Sequence, residues 1–278
     1  MKLLIFGGSG MAGHLLVRYF QEKGTHHVFY TTRNTEDPEG LIVDVNDPAL
    51  VERTVEIVRP DVIINAVGVL NQFAEADKIG AFHVNGFLPH RLRRAADAIG
   101  ARLIHISTDC VFLGLKGHYS EEEEPDGTSS YAVSKALGEI RDPGHLTIRT
   151  SIIGPEVRTS GIGLLQWFLN QEGIVHGYTH VLWNGVTTLE LAKVIEASLD
   201  SNLSGLIHLA HPDMVSKYEL LELFQKTWHK SDVTIVKEDG PVLDRTLRST
   251  RSDVQFSLPP YSIMLEELAE WMIHHEVS

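Results

Sequence analysis

Between Phe6 and Leu15 the chain carries three glycines at a spacing of three, Gly7, Gly10 and Gly13, flanked by two different hydrophobic periodicities. Lys2-Leu3-Leu4-Ile5-Phe6 is a short apolar run of the kind that forms a strand buried on both faces. After the glycines, Leu15, Leu16, Tyr19 and Phe20 recur at helical spacing. Strand, glycine turn and helix in this order restrict the chain to a βαβ start with a helix N-terminus facing a phosphate. In that arrangement Gly7 permits the tight turn, Gly10 and the adjoining Met11 let the backbone approach a pyrophosphate, and Gly13 lets the helix pack closely on the strand. An ordinary Gly-rich turn is the plainer alternative, and the elements on either side argue against it.

Strand-like runs alternate with helical patterns up to about residue 150, as in a doubly wound parallel sheet. The pattern then loosens, punctuated by Gly154-Pro155 and Ser160–Gly163. Helical stretches follow around Leu164–Asn170, Leu189–Leu199, Tyr218–Trp228 and Met264–His274, with Leu206–Leu209 as a strand candidate. The expected architecture is α/β: a Rossmann-type dinucleotide-binding domain over residues 1–150 and a smaller α/β substrate-binding lobe over 151–278. The boundary is soft, with elements of the second part free to return to the first.

Composition narrows the function classes. A chain of 278 residues with 43% hydrophobic content can bury a sizeable core. A net charge of −13 without a Lys/Arg block argues against nucleic acid or an anionic membrane as partner. No run approaches the length needed to span a bilayer, and the first strand starts at residue 2, where a signal peptide would stand. One cysteine, Cys110, suits a reducing compartment, so a cytoplasmic location is expected.

The cofactor side is read from strand ends. His27–Thr32 forms the second strand, followed by Arg33 where an NAD-selective site places a carboxylate. A guanidinium suits a 2′-phosphate and stacks on adenine, which favours NADPH, with NADH as the alternative. Leu41–Val45 brings Asp44 and Val45 near the adenine, and Asp61–Gly68 is a buried strand ending in Ala66, Val67 and Gly68 beside the cofactor.

Tyr131 and Lys135 carry the chemistry. A carbonyl that accepts a hydride needs a proton on its oxygen, and a phenol with an intrinsic pKa of roughly 10 gives one up only when assisted. On a helix the two residues share a face, so the ammonium is expected to favour phenolate by proximity. Upstream, Thr108 ends a strand-like run and aims its hydroxyl at the same carbonyl. Alone, Tyr-x-x-x-Lys is a weak signal; its context strengthens it.

Taken together, Gly7–Gly13, Asn65–Gly68, Ser107–Phe112, Tyr131–Lys135 and Arg149-Thr150-Ser151 resemble an extended short-chain dehydrogenase/reductase, specifically the dTDP-4-dehydrorhamnose reductase family. Gly205–Leu209 with Ser216-Lys217-Tyr218 is similar to that family's sugar-binding lobe. The resemblance implies NADPH-dependent reduction of a nucleotide-linked 4-keto-6-deoxysugar, with Thr108, Tyr131 and Lys135 catalytic and Asn85 matching the active-site Asn. It implies substrate contacts from Thr108, Asp109, Ser151 and Ile152, and Trp183 is a further candidate for the sugar site.

Two departures matter. Rhamnose-forming members commonly have Trp after Arg-Thr-Ser, whereas Ile152 stands here, so a UDP-linked 2-acetamido-4-keto-6-deoxyhexose is an alternative substrate. Glu121–Glu124 resembles the acidic residues of the family's metal-linked dimers, but a solvated loop without metal is the plainer reading, and a homodimer stays open. A 4,6-dehydratase needs Glu at position 110; Cys110 is a poor base, which favours reduction. The regulatory subunit of methionine adenosyltransferase resembles the same family, so a binding role is the competing class. The His residues form no metal-ligand spacing. His14, His26-His27 and His274-His275 are expected at the surface, and Trp167, Trp228 and Trp271 in the core.

Overall fold

A computed structural model describes residues 1–157 and 163–276, so Ser160–Ile162 of the punctuating stretch lie outside the described residues. Its centre is a seven-stranded parallel sheet of β1 (Lys2–Phe6), β2 (His27–Thr32), β3 (Leu41–Ile42), β4 (Val62–Asn65), β5 (Arg102–Thr108), β6 (Leu146–Thr150) and β7 (Gly205–Leu209). The order is β7-β6-β5-β4-β1-β2-β3, so the winding direction reverses between β1 and β4. This is the Rossmann-type doubly wound arrangement.

Parallel strands need crossovers, and crossover helices cover both sheet faces. Along β1, Leu3 and Ile5 enter one core and Leu4 and Phe6 the other, all fully buried. The main helices are α1 (Met11–Lys23), α2 (Pro48–Val58), α3 (Leu88–Ile99), α4 (Ser130–Leu137), α5 (Thr188–Leu199), α6 (Lys217–Thr227) and α7 (Tyr261–His274). Leu15, Leu16 and Phe20 of α1 share the first core with Ile195 of α5 and Leu268 of α7; Val51 and Val55 of α2 share the second with Leu92 of α3. No described helix is long and apolar enough to cross a membrane.

Caps set the helix starts. Asp47 accepts from Ala49 N and Leu50 N at 3.0 and 3.1 Å before Pro48 opens α2. Ser216 and Glu219 form a capping box on α6. The third strand is shorter than its apolar run: after Ile42 only Val43 N still bonds Thr32 O, and Asp44–Asp47 turns away.

Beyond residue 150 the chain contributes to both regions. β7 pairs with β6 in the main sheet, and α5 packs against α1. The remainder is built from Gly173–Tyr178 paired with Val233–Glu238, from Val181–Trp183 between Val215–Ser216 and Leu243–Asp244, and from α6. Two expected placements are corrected here. Trp167 is 41% exposed because the six-residue helix Leu164–Leu169 turns Leu165 and Phe168 inward instead. His14 is buried, since its Nδ1 hydrogen-bonds Gly10 O at 2.9 Å and its ring lies edge-on to Trp271. Trp271 is buried, Trp228 half-buried, and His275 is stacked on Trp271.

A buried polar chain joins the two regions. Arg149 on β6 is fully buried and donates from Nε and Nη2 to Glu139 at 2.8 and 2.5 Å, while Ser107 Oγ donates to the same carboxylate at 2.8 Å. Arg149 Nη1 also donates to Nε2 of His208 at 2.9 Å, and His208 Nδ1 donates to Arg248 O at 3.2 Å. Burial and the Arg149 charge push His208 down to about 4, which keeps the ring neutral with this tautomer.

Glu121 completes the chain, accepting from His208 N at 3.1 Å and from Thr250 N and Oγ1 at 2.9 and 2.8 Å. Burial opposes its charge, but the Thr250 donors and His208 outweigh it and hold the carboxyl below its usual range. The acidic run is therefore not one solvated loop: Glu121 is buried, Glu123 pairs with Lys116, and Glu122 and Glu124 are exposed. Glu121→Ala should lower unfolding free energy by about 3 kcal/mol, because three donors lose a buried acceptor. Glu122→Ala should change it by less than about 0.5 kcal/mol. Urea unfolding of both variants checks the contrast.

Candidate active site

A cleft of about 760 Å³ opens at the carboxyl ends of the strands, where the strand order reverses. At one end stand Gly7, Gly10 and Met11. Gly7 has a φ of +87° and donates its N–H to Thr31 Oγ1 at 3.1 Å, which folds the loop back on β2. A Cβ on Gly13 would stand 2.0 Å from Gly7 O, so this glycine serves the packing of loop on helix and does not line the cleft. The N-terminus of α1 has no side-chain cap and no acidic residue in its first turn. Free N–H groups at a positive helix end fit a pyrophosphate.

Farther along, Arg33, Asp44 and Val45 line the cleft. Arg33 is exposed and has no carboxylate within 4.0 Å among the described residues. Asp44 Oδ1 is engaged by Asn46 N at 2.9 Å and Nδ2 at 3.0 Å. Ala66, Val67 and Gly68 form the floor after β4, where Asn65 Oδ1 accepts from Val67 N at 3.1 Å. Ser9, Thr31, Thr32 and Glu156 also line the cleft, although no motif in the sequence distinguishes them.

Asn85 does not reach the cleft. It is fully buried, accepting from Val69 N at 2.8 Å and donating to Val69 O at 2.9 Å and Ser134 Oγ at 3.1 Å. Its amide therefore pins the loop after β4 to α4. Trp183 is likewise absent from the lining: it is buried and donates from Nε1 to Ser151 Oγ at 2.9 Å. The pairing of Val181–Trp183 with Val215–Ser216 holds the indole behind Ser151.

The other end of the cleft gathers Thr108, Asp109, Cys110, Tyr131, Lys135, Ser151 and Ile152. Thr108 is the last residue of β5, and Ser129 Oγ caps α4 by accepting from Ala132 N at 3.1 Å, which fixes the turn that carries Tyr131. Lys135 Nζ donates to Ile106 O at 2.7 Å. Thr108 Oγ1 donates to Asp109 Oδ1 and accepts from Cys110 N, both at 3.1 Å.

Burial dominates the electrostatics. Tyr131 is pushed well above the usual phenol range by burial, with the Cys110 thiol adding and the Thr108 hydrogen bond opposing. Lys135 is drawn down to about 8 by burial, against the pull of Glu139. The expectation that Lys135 lowers the phenol is corrected: the ammonium turns to a backbone carbonyl, and desolvation decides the phenol's state. Tyr131 thus holds its proton at neutral pH beside a mostly protonated Lys135. Cys110 is pushed up to about 12 by burial and then by Asp109, so it stays a thiol.

Fold and site define a short-chain dehydrogenase/reductase, an NAD(P)-dependent oxidoreductase. The chain belongs to the family described as RmlD substrate binding domain, whose model matches residues 1–255. It is 30% identical over 233 residues to the dTDP-4-dehydrorhamnose reductase of Mycobacterium tuberculosis, covering 78% of this chain and 72% of that protein. It is 26% identical over 235 residues to methionine adenosyltransferase 2 subunit beta of Rattus norvegicus, covering 79% and 70%. A dTDP-4-dehydrorhamnose reductase of Bacillus anthracis, solved in complex with NADP, superposes with a TM-score of 0.83 at 19% identity, covering 96% of each chain.

The depressed Lys135 has a thermodynamic signature. Its folded pKa of about 8 lies below the unfolded value of roughly 10.4, so between these pH values the unfolded chain binds more protons and stability rises with pH. Lys135→Met removes that dependence. Melting temperatures of the two proteins, compared from pH 7 to 10, should show the wild type gaining on the variant above about pH 8; a constant difference would contradict the burial.

Proposed function

We propose that this chain uses NADPH to reduce the 4-keto group of a nucleotide-linked 4-keto-6-deoxysugar, as dTDP-4-dehydrorhamnose reductases do. One observation carries the reading: Thr108, Tyr131 and Lys135 meet at one end of a cleft whose other end is a glycine cradle with Arg33 beside it. The roles follow from geometry and charge. NADPH supplies the hydride when bound. Tyr131 keeps a proton on its phenol oxygen and delivers it to the sugar carbonyl oxygen. Lys135, protonated at neutral pH, offsets the phenolate left behind. Thr108 orients the carbonyl, and its own hydroxyl is held by Asp109 and Cys110 N.

The Cys110 thiol, neutral up to about 12, supplies no carboxylate for dehydration at this end of the cleft. A second substrate reading has its own support. Ile152 lines the cleft while Trp183 lies behind Ser151, so neither position offers the sugar an aromatic face. That leaves room for the 2-acetamido group of a UDP-linked ketone. A regulatory role like that of the methionine adenosyltransferase subunit is weighed against the intact Thr108, Tyr131 and Lys135, which favour an enzyme.

Consumption of NADPH with a panel of dTDP- and UDP-linked 4-keto sugars tests the proposal. Turnover of at least one ketone is expected, with no conversion of dTDP-glucose to its 4-keto-6-deoxy form. Absence of turnover across the panel would favour the regulatory reading. In the same assay Arg33→Asp should move the preference from NADPH toward NADH by about tenfold or more, since a carboxylate repels the 2′-phosphate. An unchanged ratio of cofactor dissociation constants would remove Arg33 from the site.

A further inference from the structure

His14 is the fourth residue of α1 and is not among the residues that line the cleft. Its ring is buried, 6% exposed, under α7, where Trp271 meets it edge-on with the ring centroids 6.2 Å apart. Nδ1 stands 2.9 Å from Gly10 O, and His14 N donates to the same oxygen at 2.9 Å. A carbonyl oxygen only accepts, so Nδ1 carries the proton and Nε2 presents a lone pair. Nε2 is buried with no hydrogen-bond partner among the described residues. Burial pulls the ring below the usual histidine range; the bond to Gly10 opposes this and the Arg18 charge adds to it, so the ring stays neutral.

As packing alone this arrangement is unfavourable. A leucine would fill a similar volume without leaving a ring nitrogen unpartnered, and an unsatisfied buried polar atom costs free energy. What the imidazole adds is a second donor on Gly10 O, where a helix start ordinarily has the one from the backbone four residues on. In a planar trans peptide the carbonyl of one residue and the N–H of the next point in opposite directions. Two donors that turn Gly10 O into the helix therefore turn Met11 N–H out of its N-terminus, where Gly10 and Met11 line the cleft. Met11 N has no acceptor among the described residues, whereas Gly10 N is already occupied by Gly7 O at 2.9 Å.

We infer that His14 is a positioning residue for the cofactor: through Gly10 O it locks the Gly10–Met11 peptide, so that Met11 N–H is preset for the pyrophosphate. It acts from behind the loop and touches neither cofactor nor substrate. Trp271, on the helix that follows the family-matched residues 1–255, covers the ring and holds it against Gly10. The inference rests on the cofactor part of the reading above and does not depend on which ketone is reduced. A loop that adopts the productive peptide orientation for only part of the time binds more weakly by that fraction.

Calorimetric titration of the full chain with NADP⁺ and with adenosine 2′-monophosphate separates this role from packing. Both ligands carry adenosine and the 2′-phosphate, and only NADP⁺ has the pyrophosphate. His14→Leu removes the donor, whereas His14→Asn keeps an N–H at the place of Nδ1. His14→Leu should weaken NADP⁺ by about fivefold and leave adenosine 2′-monophosphate within about twofold of wild type. His14→Asn should recover most of the loss.

Equal weakening of both ligands by His14→Leu would assign His14 to packing and overturn the inference. So would unchanged NADP⁺ affinity in His14→Leu, or a loss in His14→Asn as large as that in His14→Leu. Nitrogen-15 NMR of the wild-type imidazole adds a test that needs no variant to fold. His14 should hold its proton on Nδ1 at neutral pH, and a ring protonated on Nε2 alone or on both nitrogens would overturn the inference. Failure of the wild type to bind NADP⁺ would sink the cofactor reading together with the role of His14. Failure to reduce any ketone, with the NADP⁺ results as expected, would sink only the substrate reading.

Discussion

The ion pair between Arg149 and Glu139 holds together the parts on which the candidate site depends. Arg149 leaves β6 into a fully buried space and meets a carboxylate just past the end of α4. The same carboxylate takes the hydroxyl of Ser107, one residue before Thr108. The guanidinium lies 4.9 Å from the Phe112 ring and donates to His208 on β7. One buried pair thus ties the helix of Tyr131 and Lys135, the strand of Thr108 and the strand contributed from beyond residue 150. Removing one partner of such a pair costs about 3–5 kcal/mol, because the other is left charged and dry. Its value here is positional.

Burial organises the chemistry as it organises the fold. The same desolvation raises the phenol of Tyr131, raises the thiol of Cys110 and lowers the ammonium groups of Lys135 and Lys217. Desolvation at this end of the cleft favours the neutral form of each group and strengthens the charges that remain. Lys135 is steadied by Glu139 and by the Ile106 carbonyl.

Much of this was legible in the sequence because local patterns carried it. The apolar run at Lys2–Phe6, the glycine spacing and the helical stripe through Phe20 specify strand, loop and helix without help from elsewhere in the chain. The bounds of β2 at His27–Thr32 coincide with the β-branched and aromatic run. What could not be read depended on tertiary partners. Nothing local distinguishes Glu121 from Glu122, since only the former meets Thr250 and His208. Asn85 and Trp183 had the right residue types for a site, but one clamps a loop and the other backs Ser151. His14, in a helix facing water in the local pattern, is covered by α7.

The central claim is that the end of the cleft formed by Thr108, Tyr131 and Lys135 reduces a sugar ketone at C4. The most direct measurement uses NADPH deuterated at C4 of the nicotinamide with a nucleotide-linked 4-keto-6-deoxysugar, followed by NMR of the product. Both deuterated C4 epimers of the cofactor are run, because the transferred face belongs to the enzyme. The account predicts that one of them places a single deuterium on C4 of the sugar. Product without deuterium from either epimer, or deuterium at any other carbon, would contradict it.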